Sequence, residues 1–175
     1  MMNYTNQQKG NYYIIADHLR TAIFALADGA IFEPKGRGYI LKKLVKKATL
    51  LAHFLNLSGE KLQKTIELLI KVNCSYYSHL YEKKELTIGE LKKEIDKNFN
   101  FIDKSVEKLN NYYSPEITAE DIFFWYDTKG IPLELIRFYL EEKKHNFPEE
   151  EFNNLLEKQK ERSLKDRKKK NLSVF

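Results

Sequence analysis

The chain has 175 residues, 42% of them apolar, with 11 tyrosines and 11 phenylalanines, which gives it the material for a core and excludes a disordered chain. Its formal charge is only +5, so the distribution of charge carries more information than the total. Cys74 is the only cysteine, which rules out an internal disulfide and a thiolate metal set. No apolar run approaches the ~20 residues of a membrane span or forms a signal-peptide core. The expectation is a soluble, cytoplasmic protein with no membrane partner.

The elements are read in chain order. After a polar start over 1–11, "YIIADHLRTAIFALAD" places Ile15, Leu19, Ala22, Ile23 and Leu26 on one helical face, with Gly29 as its stop. Pro34, Gly36 and Gly38 exclude regular helix from Glu33 to Gly38. A second helix is predicted from about Tyr39 to Phe54, with Leu41, Leu44, Val45, Ala48 and Leu51 inward. Ser58 caps a third over roughly Gly59 to Leu80, burying Leu62, Ile66, Leu69 and Val72. "TIGE" at Thr87–Glu90 reads as a capping box that opens a long fourth helix carrying Leu91, Ile95, Phe99, Ile102, Val106 and Leu109. Ser114-Pro115 breaks it. Thr118 caps a short helix ended by Gly130, Pro132 opens another, and Pro148 opens the last. No segment alternates with period two. The fold class is therefore all-α: a bundle of about seven helices, as one body or as two packed subdomains joined near Tyr113–Thr118.

Between Pro34 and Gly59 there is no acidic residue, yet Lys35, Arg37, Lys42, Lys43, Lys46 and Lys47 fall there. At 100° per residue the four lysines at 42, 43, 46 and 47 share one side of a helix, opposite Leu41, Leu44 and Ala48. A single-sign stripe beside a glycine-containing turn fits a polyanion such as RNA or DNA. A solvated helix face is the competing reading. The stretch from Lys158 to Lys170 is also basic but is interrupted by acids, and it reads first as a solvated helix passing into a basic tail.

No catalytic constellation is visible. "GRG" is too short for a phosphate-binding fingerprint and no strand precedes it. The four histidines have no metal-ligand spacing, nothing marks a nucleophile elbow, and no metal site is expected.

Three stretches carry a family resemblance. "YYIIADHLRTAIFALADGAIFEPKGRGYILKKLVKKA" resembles the segment that follows the catalytic domain in alanyl-tRNA synthetases. "TAEDIFFWYDTKGIPLELIRFYLEEK" is similar to the family's Y-D-T-Y-G region, and "FPEEEFNNLLEKQKERS" to the sequence after it. The matches keep the family order from about Tyr12 to Ser163. The resemblance implies a helical module recognising the acceptor stem of tRNA(Ala), in 12–113, with a second helical subdomain in 114–163 and a basic tail in 164–175. The class II catalytic motifs and the editing motifs of the family are absent, so no catalytic residue is expected here. ATP and magnesium are implied only for the parent ligase, whose catalytic domain would be a partner in cis or in trans.

In the family, an Asn and an Asp read a G·U pair in that stem. The Asp of Y-D-T-x-G corresponds to Asp127. Where the family pattern P-S-N-E-G-R-G-Y has Asn, this chain has Pro34, which offers no side-chain donor. The family's paired arginines appear as Lys42-Lys43 and Lys46-Lys47, keeping the charge without the bidentate fork. The implied RNA contacts are Asp127, Lys35, Arg37, Lys42, Lys43, Lys46 and Lys47, with Gly36 and Gly38 forming a turn for close backbone approach. Two alternatives stay open: a free-standing, non-catalytic RNA-binding protein derived from the same module, and a helical interaction or DNA-binding protein.

Overall fold

A computed structural model describes residues 5–172, with side chains through 165 except that of Gln7. Residues 1–4 of the expected polar start and 173–175 of the expected basic tail lie outside the described residues. Eight helices and no strand occur among the described residues: α1 (Asn6–Ala27), α2 (Gly36–Phe54), α3 (Gly59–Asn73), α4 (His79–Glu82), α5 (Lys84–Tyr112), α6 (Ala119–Asp127), α7 (Leu133–Glu142) and α8 (Glu149–Leu172). The all-α expectation holds. The chain forms two units, residues 1–103 and 104–175. The division falls inside α5, whereas the sequence suggested the helix break at 114–115; α5 runs on because nothing before Pro115 interrupts its backbone bonding.

In the first unit α1 starts earlier than its apolar pattern suggests. The Thr5 hydroxyl accepts from the Gln8 N–H while the Gln8 side chain accepts from the Thr5 N–H, and this reciprocal cap satisfies two donors before any apolar residue appears. At the other end, Gly29 N–H donates to Leu26 O and Ala30 N–H to Ala25 O, the paired bonds that close a helix C-terminus. Leu19, Ala22 and Ile23 of α1 pack in one core with Leu41, Val45, Ala48 and Ala52 of α2. The alanines at 22, 48 and 52 are wholly buried, so the two backbones approach without large side chains between them. Leu62, Ile66 and Ile70 of α3, Leu80 of α4, and Leu91 and Ile95 of α5 complete this core.

Three sequence expectations are corrected here. First, α2 begins at Gly36, not Tyr39, so the Gly-Arg-Gly segment is its first turn. Gly36 takes φ +62°, a value open to glycine at no steric cost. Gly38 is required for another reason: a Cβ there would lie 2.6 Å from Glu33 N and closer still to Ile31 O. Second, α3 stops at Asn73. Asn73 Nδ2 donates to Leu69 O, and Asn73 O accepts from the N–H groups of Tyr76 and Tyr77. The turn so formed sets α4 apart as its own short helix, while Val72, inside α3 but on the face opposite Leu62, Ile66 and Ile70, is exposed. Third, Thr87 is not a cap: α5 starts at Lys84 and Thr87 is buried within it. Its capping option is pre-empted because its N–H already donates to Lys83 O.

The Gly38 geometry makes a stability prediction. Gly38→Ala forces a methyl against fixed backbone, and overpacking of this kind costs about 1–3 kcal/mol. Urea unfolding followed by circular dichroism is expected to show that loss; Gly10→Ala, where the added carbon meets nothing, is expected to leave stability unchanged or raise it.

In the second unit, α6 is capped as expected by Thr118, and Asp121 completes the reciprocal box by accepting from Thr118 N–H at 3.0 Å. Ile122 and Trp125 of α6, Leu135, Ile136, Tyr139 and Leu140 of α7, Ile131 between them and Phe152 of α8 are buried. The rings of Phe123, Tyr126 and Phe147 surround Phe152 at 5.1–6.1 Å between centroids. Arg137 of α7 holds Glu149 of α8 through both guanidinium nitrogens, one bond at 2.8 Å, and stacks 3.9 Å over the Phe147 ring. The bonds from Arg137 hold the Glu149 carboxyl below its ordinary range. Tyr139 Oη donates to Asn110 Oδ1 at 2.9 Å, joining α7 to the end of α5 within the unit.

Candidate nucleic-acid interface

The acid-free stretch folds into α2, whose apolar side is fixed by the α1 packing, so its lysines are turned away from the core. Lys43 and Lys46 are exposed, and Lys42 and Lys47 are half-buried. Lys43 Nζ sits 5.0 Å from the centre of the Tyr39 ring, and Lys46 Nζ the same distance from that of Phe101 on α5. Such cation–π contacts contribute about 0.5–1 kcal/mol at exposed sites and hold the ammonium groups in place.

These side chains line one groove of about 330 Å³, with Tyr39, Lys42, Lys43 and Lys46 from α2 and Glu94, Lys97, Asn98 and Phe101 from α5. Four lysines face a single carboxylate there. No ion pair joins Lys42, Lys43, Lys46 or Lys97 to a carboxylate among the described residues. The amide nitrogen of Asn98, a residue 8% exposed, has no hydrogen-bond partner; an unmade bond of this kind costs about 1–3 kcal/mol.

The other candidates fall elsewhere. Lys35 is the N-cap residue of α2 and is exposed, with no side-chain capping bond. Arg37 lines a different hollow, of about 570 Å³, between the α1–α2 loop and α2, and shares it with Asp28 and Glu33. That hollow has mixed charge, unlike the lysine groove. Lys47 does not line the groove. Gly36 is open to solvent at the α2 N-terminus, whereas the absence of a side chain at Gly38 is accounted for by its own chain. Pro34 is exposed.

Asp127 belongs to the second unit. It is the last residue of α6, exposed, and its Oδ1 accepts from Gln159 Nε2 of α8. A carboxylate at a helix C-terminus opposes the helix dipole by about 0.3–1 kcal/mol, and no basic residue occupies the last turn to offset it. Helix stability therefore gives no reason for an acid at 127. The Gln159 bond fixes one carboxylate oxygen and leaves Oδ2 without a bond among the described residues.

Sequence reading missed Lys97, Asn98, Phe101 and Gln159. The first three sit among Glu94, Asp96 and Lys93, where interleaved charges look like an ordinary solvated face, and only packing beside α2 brings them to one groove. Gln159 had no local signal.

Residues 1–174 match the family model described as tRNA synthetases class II (A). Alanine–tRNA ligase of Clostridioides difficile strain 630 is 36% identical over 157 residues, 86% of this chain and 18% of that protein. The chain belongs to the class II alanyl-tRNA synthetase family. Alanine–tRNA ligase of Campylobacter jejuni strain 81-176 is 29% identical over 163 residues, 91% of the chain and 19% of the relative. Alanine–tRNA ligase 1 of Lachnoclostridium phytofermentans is 35% identical over 155 residues, 85% and 18%. The chain thus spans less than a fifth of the length of these relatives, and its family membership supports a role related to tRNA synthetases.

Proposed function

We propose that this chain is the tRNA(Ala) acceptor-stem recognition part of an alanine–tRNA ligase. It grips the stem's phosphates through α2 and presents the stem to a catalytic part that uses ATP and magnesium to attach alanine. The observation that carries the reading is the single-sign lysine face of α2, on which Lys43 and Lys46 lie over aromatic rings and Lys42, Lys43 and Lys46 make no ion pair with a carboxylate among the described residues. Phosphate contacts position a nucleic acid and base contacts specify it. An A-form stem shows its bases through a wide, shallow minor groove, where guanine offers an exocyclic amine as donor. In a G·U pair that amine lacks a cross-strand partner, and Asp127 Oδ2 is the acceptor that meets it. No helix among the described residues is long and apolar enough to cross a membrane, and the proposed place of work is the cytoplasm, where tRNA is charged.

The test is binding of this chain to tRNA(Ala), to the same tRNA with G·C in place of G·U, and to duplex DNA, across a range of salt. About four engaged phosphates give a log–log slope of roughly −3 to −4. Asp127→Ala is expected to remove about 1–3 kcal/mol of G·U preference and to leave the slope unchanged. An intact pair preference in that variant refutes the role of Asp127.

Pro34 favours a second reading, a free-standing RNA-binding protein of looser specificity, because it removes the side-chain donor that the family pattern places there. In that case wild-type binding is salt-dependent and the G·U and G·C stems bind alike.

A further inference from the structure

We propose that α5 supplies a second wall of the RNA site: Lys97 and Asn98 close the α2 lysine groove into a seat for a sugar-phosphate strand. The inference rests on the RNA-binding reading above and adds residues and a shape that the family pattern of basic pairs does not contain. The seat has a stated size and charge. Its volume of about 330 Å³ lies at the small end of ligand-sized hollows, which suits a short run of backbone and not a whole duplex. Its lining of four lysines against Glu94 leaves an excess positive charge with low-dielectric walls on both sides, which concentrates the field on an anion.

Two features separate the seat from a merely solvated face. The ammonium groups of Lys43 and Lys46 lie over Tyr39 and Phe101, contacts that bias both side chains toward the groove and so reduce the freedom lost when a phosphate binds. Phe101 contributes from α5 to a lysine on α2, so the two helices share the seat. The second feature is Asn98, more than nine-tenths buried in the groove lining with its amide nitrogen unpartnered. A modest turn of that amide on binding gives it a phosphate or ribose oxygen to donate to. Lys97, exposed on the same wall, supplies the matching charge.

The experiment measures binding of an acceptor-stem RNA duplex to the full chain from 0.05 to 0.4 M salt. The variants are Lys97→Gln, Lys42→Gln and, as a charge-matched control outside the groove, Lys61→Gln. One lost phosphate contact lowers the slope by about 0.7–0.9 and, at 0.1 M salt, the affinity about 5–8-fold. Lys97→Gln and Lys42→Gln are each expected to show that change, with Lys61→Gln showing less than a twofold loss and an unaltered slope. In parallel, lysine acetylation of the wild-type chain is expected to be blocked by the RNA at Lys42, Lys43, Lys46 and Lys97 together, and not at Lys61. If Lys97→Gln matches Lys61→Gln and Lys97 stays reactive while the α2 lysines respond, the α5 wall is refuted and the RNA-binding reading stands. If the duplex does not bind, or Lys42→Gln also matches the control, both fall.

Discussion

Trp125→Ala is expected to cost about 3–5 kcal/mol, a large fraction of what a unit the size of residues 104–175 holds in reserve. Trp125 is 2% exposed and among the largest fully enclosed side chains of the protein's cores, and α6, which carries it, is only nine residues long. A helix that short is marginal alone and exists because one face is buried. Trp125 is also the only tryptophan, so the variant loses its fluorescence probe. Circular dichroism and hydrogen exchange of the α6 and α7 amides are the appropriate measurements. The expected pattern is selective: faster exchange in α6, α7 and α8, with α1–α4 protected as before. Because Asp127 ends the same helix, its presentation should degrade along with stability. Asp127→Ala is expected to lose pair preference with no loss of stability, since the side chain is exposed. Unchanged exchange of the α6 amides in Trp125→Ala contradicts this account of what holds Asp127.

How much of this could be read from the sequence depended on whether the signal was local. The inward faces of α1, α2 and α5 were legible because apolar residues recur at helical spacing over many turns, and Ser58 and Thr118 were legible as caps because a cap is a matter of a few adjacent residues. Val72 misled because, although it lies inside α3, it falls about 200° around the helix from Ile70, and the buried face runs through Leu62, Ile66 and Ile70 instead. Thr87 misled because a capping-box spelling within a helix is unused once its N–H is already bonded to the preceding turn. The α2 lysines stood out since no acid is mixed with them. Lys97 did not, since Glu94 and Asp96 flank it on α5 and the groove arises only when α5 lies beside α2. Asp127 was singled out by resemblance; what the structure adds is Gln159, a partner from a helix thirty-two residues later, which no local pattern announces.

The basic face itself makes the larger functional prediction. Lys42→Ala combined with Lys46→Ala removes two of the proposed phosphate contacts, so the salt slope should fall by about 1.4–1.8 and affinity at 0.1 M salt by about 25–60-fold. The loss should be the same for tRNA(Ala), for its G·C variant and for an unrelated stem, because phosphates carry no sequence. Folding should be little affected: Lys46 gives up one exposed contact with Phe101, about 0.5–1 kcal/mol, and Lys42 makes no ion pair among the described residues. This separates the lysines from Asp127 by experiment, since one change moves the slope without the pair preference and the other moves the preference without the slope. A double variant that binds every RNA as the wild type does, with the same slope, leaves α2 as an ordinary solvated helix. Equal losses for RNA and duplex DNA, starting from equal wild-type affinities, point instead to a general polyanion surface, because an acceptor-stem reader must favour the A-form duplex through groove shape as well as charge.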